Sequence, residues 1–84
     1  MTMPSPAVRD IMRAIGAYLQ SHPHALDTER GIREWWLRDA SARHSVSDVR
    51  LAIAELVASG GLVQVTLADG QVAYAIGPQI CSQP

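Results

Sequence analysis

Apolar residues recur along this chain in two different periods, and the change of period divides it. Val8, Ile11, Met12, Ile15, Tyr18 and Leu19 follow the i, i+3, i+4, i+7 spacing that lays one stripe along an α-helix. Ser5 stands where a cap is needed, and Pro6 suits a first turn whose N–H has no partner anyway. The pattern predicts a helix over 6–20, with Arg9, Asp10, Arg13 and Gln20 outward and Ser21-His22-Pro23-His24 as its stop. A second helix starts after Asp27 or Thr28 and runs to about residue 39. Ile32, Trp35 and Trp36 share one of its faces, and Arg30, Glu34 and Arg38 the opposite one. The pairs Glu29–Arg33, Arg30–Glu34 and Glu34–Arg38 each add about 0.2–0.5 kcal/mol to helix stability. The adjacent Trp35 and Trp36 straddle the core stripe, and Leu37 points outward on the same wheel.

A third helix begins at Ser45 or Ser47, where Ser45-x-x-Asp48 is a variant capping box. Val46, Val49, Ile53, Leu56 and Val57 form its apolar stripe, and Gly60-Gly61 supplies the left-handed stop. From there the period becomes two. Val63-Gln64-Val65-Thr66-Leu67 and Val72-Ala73-Tyr74-Ala75-Ile76 alternate on either side of Asp69-Gly70, a two-residue hairpin signal. That turn predicts Leu67 opposite Val72, Val65 opposite Tyr74 and Val63 opposite Ile76, with all large apolar residues on one face. The expected fold is mainly α with a small antiparallel β-hairpin, as one domain over 6–77 between tails at 1–5 and 78–84. Its expected core is Val8, Ile11, Met12, Ile15, Leu19, Ile32, Trp35, Val49, Ile53, Leu56, Leu62, Val65 and Tyr74.

Composition narrows the functions this fold can carry. The 84 residues are 48 % apolar and 18 % charged, enough for one folded domain with a small core. So small a core leaves little room for a deep active-site cleft. No run approaches the roughly 20 apolar residues of a membrane span, and no secretory signal is visible at the start of the chain. A single cysteine, Cys81, provides no internal disulfide and suits a reducing, cytoplasmic setting. The net charge is −1, and all seven basic residues are arginines. Every one lies at or before Arg50, and beyond it the only charges are Glu55 and Asp69. The basic face common in nucleic-acid binders is absent from the overall balance.

Three helices followed by a hairpin, with the run Leu56-Val57-Ala58-Ser59-Gly60-Gly61-Leu62-Val63 leading from helix to strand, resemble the third helix and wing of winged helix-turn-helix regulators. The resemblance covers about residues 6–77. It implies a winged helix, a short strand between the first two helices pairing with the wing (Ala25-Leu26 is the candidate), and binding of double-stranded DNA in transcriptional regulation. Winged helices also serve as protein-interaction modules. Two features depart from the DNA-binding pattern. The connection over 40–44 is longer than a tight helix-turn-helix turn. The outward face of the third helix carries Ser47, Asp48, Leu51, Ala54, Glu55 and Ala58, with none of the common base readers Arg, Lys, Asn and Gln.

Two constellations therefore compete. Arg43, His44, Ser45, Ser47 and Arg50 gather at the start of the third helix, where a phosphate backbone would pass. Leu51, Ala54 and Ala58, with Leu37, form an apolar stripe suited to a protein partner or a second copy of the chain. The DNA reading ranks narrowly first, on the resemblance. His22, His24 and Cys81 do not make the four-ligand set of a zinc site, and no nucleophile, phosphate loop or paired-carboxylate motif marks an enzyme. The expectation is a non-enzymatic domain without metal or cofactor.

Overall fold

The computed structural model describes residues 5–38 and 45–78. Helix α1 spans Pro6–Ser21, and the Ser5 hydroxyl accepts the Val8 N–H at 3.2 Å. Its buried stripe is Val8, Ile11, Ile15 and Leu19. Strand β1, Leu26–Asp27, follows at once. Thr28 then caps α2 by accepting the Gly31 N–H at 3.2 Å. Helix α2 is α-helical over Glu29–Gly31 and π-helical over Ile32–Trp36. Helix α3, Val46–Ser59, is capped by Ser45, whose hydroxyl accepts the Asp48 N–H at 3.0 Å. Gly60 ends it in the left-handed conformation, with φ 86°. Strands β2, Leu62–Thr66, and β3, Val72–Ile76, complete an antiparallel sheet ordered β1-β3-β2. The architecture is thus three helices and a small three-stranded antiparallel sheet.

Ser5 and Gly60 cap where the sequence places them, and of the paired candidates Thr28 and Ser45 are the ones used. The strand after the first helix forms as well, shifted by one residue: Leu26 lies opposite Ala75 and Asp27 opposite Tyr74. The core joins the stripes of α1 and α3 to Ile32, Trp36 and Leu37 of α2 and to Leu62 of the sheet. Trp36 stacks on Tyr18 with ring centroids 5.1 Å apart, and His22 stacks on the same Tyr18 at 4.2 Å. Val46, expected in the α3 stripe, is exposed, and Ala52 is buried instead.

The π turn overturns two expectations in α2. Trp35 is 59 % exposed and Leu37 only 4 %, the reverse of an α-helical wheel. The Leu37 N–H donates to the Ile32 carbonyl at 3.1 Å, five residues back. An i→i+5 turn holds one more residue than an α turn. It therefore brings Leu37, not Trp35, onto the Ile32–Trp36 side. Trp35 rotates outward, where the Arg38 guanidinium lies 5.8 Å from its ring centroid. Arg30 keeps its expected partner Glu34, at 2.6 Å.

The hairpin register also differs by one residue. Leu62 pairs with Ile76, Val63 with Ala75, Gln64 with Tyr74, Val65 with Ala73 and Thr66 with Val72. The turn has three residues, not two. Leu67 donates its N–H to the Gln71 carbonyl at 2.7 Å, and Gly70 donates to the Leu67 carbonyl at 2.9 Å with φ 89°. A left-handed glycine closing a three-residue loop is a common hairpin solution. Asp69 supports it by accepting the Gln71 N–H at 3.0 Å. Because side chains alternate, this slip splits the apolar set between two faces. Leu62, Tyr74 and Ile76 pack on the core, whereas Val63 and Val65 lie on the opposite face with Ala73 and Ala75. Val65 is thereby removed from the expected core.

These positions make a discriminating mutant set. Ile53→Ala and Leu37→Ala should each lower stability by about 2–5 kcal/mol, through lost transfer energy and a residual cavity. Trp35→Ala should cost less than about 1 kcal/mol, because an exposed side chain leaves no cavity. Urea unfolding of the three variants checks the order, and equal losses at positions 35 and 37 would contradict the π turn.

Candidate functional site

The outward face of α3 keeps the phase expected of it. Ser47, Leu51, Ala54, Glu55 and Ala58 are exposed, Leu51 by 55 %, and Asp48, expected with them, is half-buried. One flank of this face falls into a cleft of about 400 Å³ between α3 and the sheet. Ile53, Ala54, Val57 and Ala58 form its helical wall, Gln64 and Tyr74 its sheet wall, and Arg50 and Glu29 also line it. Gln64 and Tyr74 face each other across β2 and β3, so the observed register puts both on the side toward α3.

Arg50 is tethered through its Nε while most of its side chain stays exposed. Its Nε donates to both carboxylate oxygens of Glu29, at 3.2 and 3.0 Å, linking the start of α2 to α3. Glu29 also lies 4.0 Å from the Arg33 Nε, which is enclosed without a hydrogen-bond partner. The Glu29 carboxylate thus sits between two guanidinium groups. Nothing in the sequence signals the Arg50 contact, since the partners are 21 residues apart and on different helices. Hydrogen bonding to Glu34 raises the Arg30 guanidinium further above its already high ordinary pKa, with the attraction of the same carboxylate acting in the same direction.

Of the residues expected to meet DNA, Arg43 and His44 lie outside the described residues. The Ser45 hydroxyl is engaged as the α3 cap, Ser47 is exposed, and Arg50 is paired. Of the alternative set, Leu51, Ala54 and Ala58 come together on one exposed stripe. Leu37 does not join them, because the π turn buries it. His22 stacks on Tyr18, and its Nδ1 lies 3.1 Å from the Tyr18 carbonyl. Among the described residues no three His, Cys, Asp or Glu side chains converge, and no helix is long and apolar enough to cross a membrane. Cys81 lies outside the described residues.

α3 carries Asp48 and Glu55 against the single cation Arg50, and the β2–β3 turn carries Asp69. Glu29→Gln should lower stability by up to about 1 kcal/mol, the range of partly exposed ion pairs. High salt should shrink the difference from wild type, because screening weakens the intact pair. Urea titrations at low and high ionic strength check both expectations. Comparison with protein family models, with curated protein sequences and with solved structures finds no match for this chain.

Proposed function

We propose that this chain is a winged-helix-like domain that binds another protein through the exposed face of α3 and the adjoining cleft. The order of elements supports the winged-helix part, as does the pairing of the short strand β1 with the second strand of the hairpin. The observation that carries the protein-binding part is the state of Arg50. A DNA-reading helix presents cations and amides to the groove. Here the one cation of α3 gives its Nε–H to both carboxylate oxygens of Glu29, and the face beside it offers Leu51, Ala54 and Ala58. A leucine flanked by alanines provides an anchor and lets a partner's backbone approach closely. This reverses the order in which the sequence alone ranks the two functions. The DNA-binding reading keeps one observation in its favour: Ser47 is exposed in the first turn of α3, where helix N–H groups attract phosphate.

Leu51→Glu places a charge at the centre of the patch without touching the buried Val49, Ile53 and Leu56. It should leave the thermal midpoint nearly unchanged. It should also abolish retention of a partner that wild type captures and that an equivalent Leu26→Glu variant on the sheet still captures. Mobility shifts with duplex DNA at about 50 mM salt, where non-specific attraction is strong, separate the alternative. The expected result is no shift. A shift that is lost in Arg50→Ala would return the function to DNA binding.

A further inference from the structure

Helix α3 is buried on one side only. Its buried residues are Val49, Ala52, Ile53 and Leu56. In a seven-residue repeat they fall at positions f, b, c and f, the side turned away from a coiled partner. The same repeat puts Leu51 and Ala58 at a, and Ser47 and Ala54 at d, the positions that form the seam between two coiled helices. All four are exposed, so the seam lies open opposite the domain's own core. Its two flanks differ in charge. Asp48 and Glu55 stand at the e positions, whereas Arg50 and Val57 stand at g. One flank is therefore acidic, and the other carries the only cation of the helix.

Arg50 and Glu55 both retain capacity for a partner. The hydrogen bonds from Arg50 to Glu29 come from Nε alone, and the arginine side chain is 67 % exposed, so its terminal amino groups can still donate outward. Glu55 is exposed and, among the described residues, forms no ion pair. The two residues stand on opposite flanks with Glu55 the more C-terminal. That offset brings a g residue of one helix to an e residue of a parallel neighbour.

We infer that α3 pairs in parallel with α3 of a second copy of this chain, about a two-fold axis running along the seam. The inference rests on the α3 reading proposed above and names its partner. The symmetry turns the g flank of each copy toward the e flank of the other. Arg50 then meets Glu55 of the second copy, and Glu55 meets Arg50 of the second copy, so one operation makes both pairs. An antiparallel pair would set Arg50 against its own counterpart and the acidic flank against itself. Charge thus selects both the occupant and its direction. Leu51 meets its counterpart at the centre of the seam, and Ala54 and Ala58 let the helix axes approach closely. Glu29 offsets part of the Arg50 charge, and exposed ion pairs add little strength. They fix direction, while burial of Leu51 supplies the attraction. The seam runs for about three turns, less than a standard interface, so the dimer is a weak one.

Sedimentation equilibrium of the full chain up to about 1 mM tests it, a concentration that populates even dimers with millimolar dissociation constants. Wild type should dimerise, and Leu51→Glu should stay monomeric throughout. Arg50→Glu and Glu55→Arg should each weaken self-association by about tenfold, since both pairs turn from attraction to repulsion. High salt should shrink that loss. Mixed in equal amounts, these two variants should associate with each other more tightly than either does with itself, because each supplies the charge that the other lacks. Ser47→Cys in a Cys81→Ser background should form an intermolecular disulfide on oxidation, since only a parallel pair brings the two seam positions within bonding distance. If Arg50→Glu unfolds for want of its Glu29 contact, Glu55→Arg and the cross-link still decide. A wild type that stays monomeric at about 1 mM, a dimer that survives Leu51→Glu, or a dimer without the cross-link would each overturn the inference. A monomeric wild type that captures another protein through Leu51 loses this inference and keeps the α3 reading. Self-association and capture that are both indifferent to Leu51→Glu lose the two together.

Discussion

The passage from α3 into β2 takes two residues, Gly60 and Gly61, and the placement of the sheet depends on how tightly it turns. Gly60 adopts a left-handed φ of 86°, and the Gly61 N–H returns to the Leu56 carbonyl at 2.7 Å. The Gly61 carbonyl in turn accepts the N–H of Gly77, fastening the end of β3 beside the turn. A Cβ on Gly77 would meet the Gly60 carbonyl oxygen, so three glycines meet where two passes of backbone touch. This junction tucks Leu62 into the core and swings Tyr74 and Gln64 to face Ala54 and Val57. The cleft is a consequence of that angle.

A chain of this size has more large apolar side chains than its core can enclose. Which ones remain outside is decided by backbone geometry as much as by hydrophobicity. The π turn chooses Leu37 over Trp35, and the three-residue loop chooses Tyr74 and Ile76 over Val63 and Val65. The excluded residues lie on elements with definite positions. Leu51 stands on α3 beside two exposed alanines, while Val63 and Val65 stand on a sheet edge. The first surface presents side chains, whereas the second lies at a strand edge.

What the sequence discloses follows from the range of the interaction involved. The caps at Ser5, Thr28 and Ser45 act over three residues, and the stripes of α1 and α3 repeat over several turns, so both are legible without knowledge of the fold. The left-handed Gly60 belongs with them. The π turn is different. Trp35-Trp36-Leu37 holds three bulky residues in succession, which no α stripe can bury together, and Trp36 is the one that stacks on Tyr18 of α1. The hairpin register turns on a local ambiguity, since Ala68-Asp69-Gly70-Gln71 accommodates either a two- or a three-residue loop. The pairing of Arg50 with Glu29 left no trace at all, being a contact between two helices whose packing had first to form.

That pairing bears on recognition beyond its small contribution to stability. The Glu29 carboxylate beside the Arg50 Nε offsets part of that arginine's charge and would repel a phosphate brought to the same guanidinium. Affinity for nucleic acid grows with the number of phosphates neutralised. α3 carries that tethered arginine together with two carboxylates, Asp48 and Glu55. Apolar contact carries no such dependence on charge. Beside the tethered Arg50, the exposed Leu51, Ala54 and Ala58 form the apolar part of the α3 face.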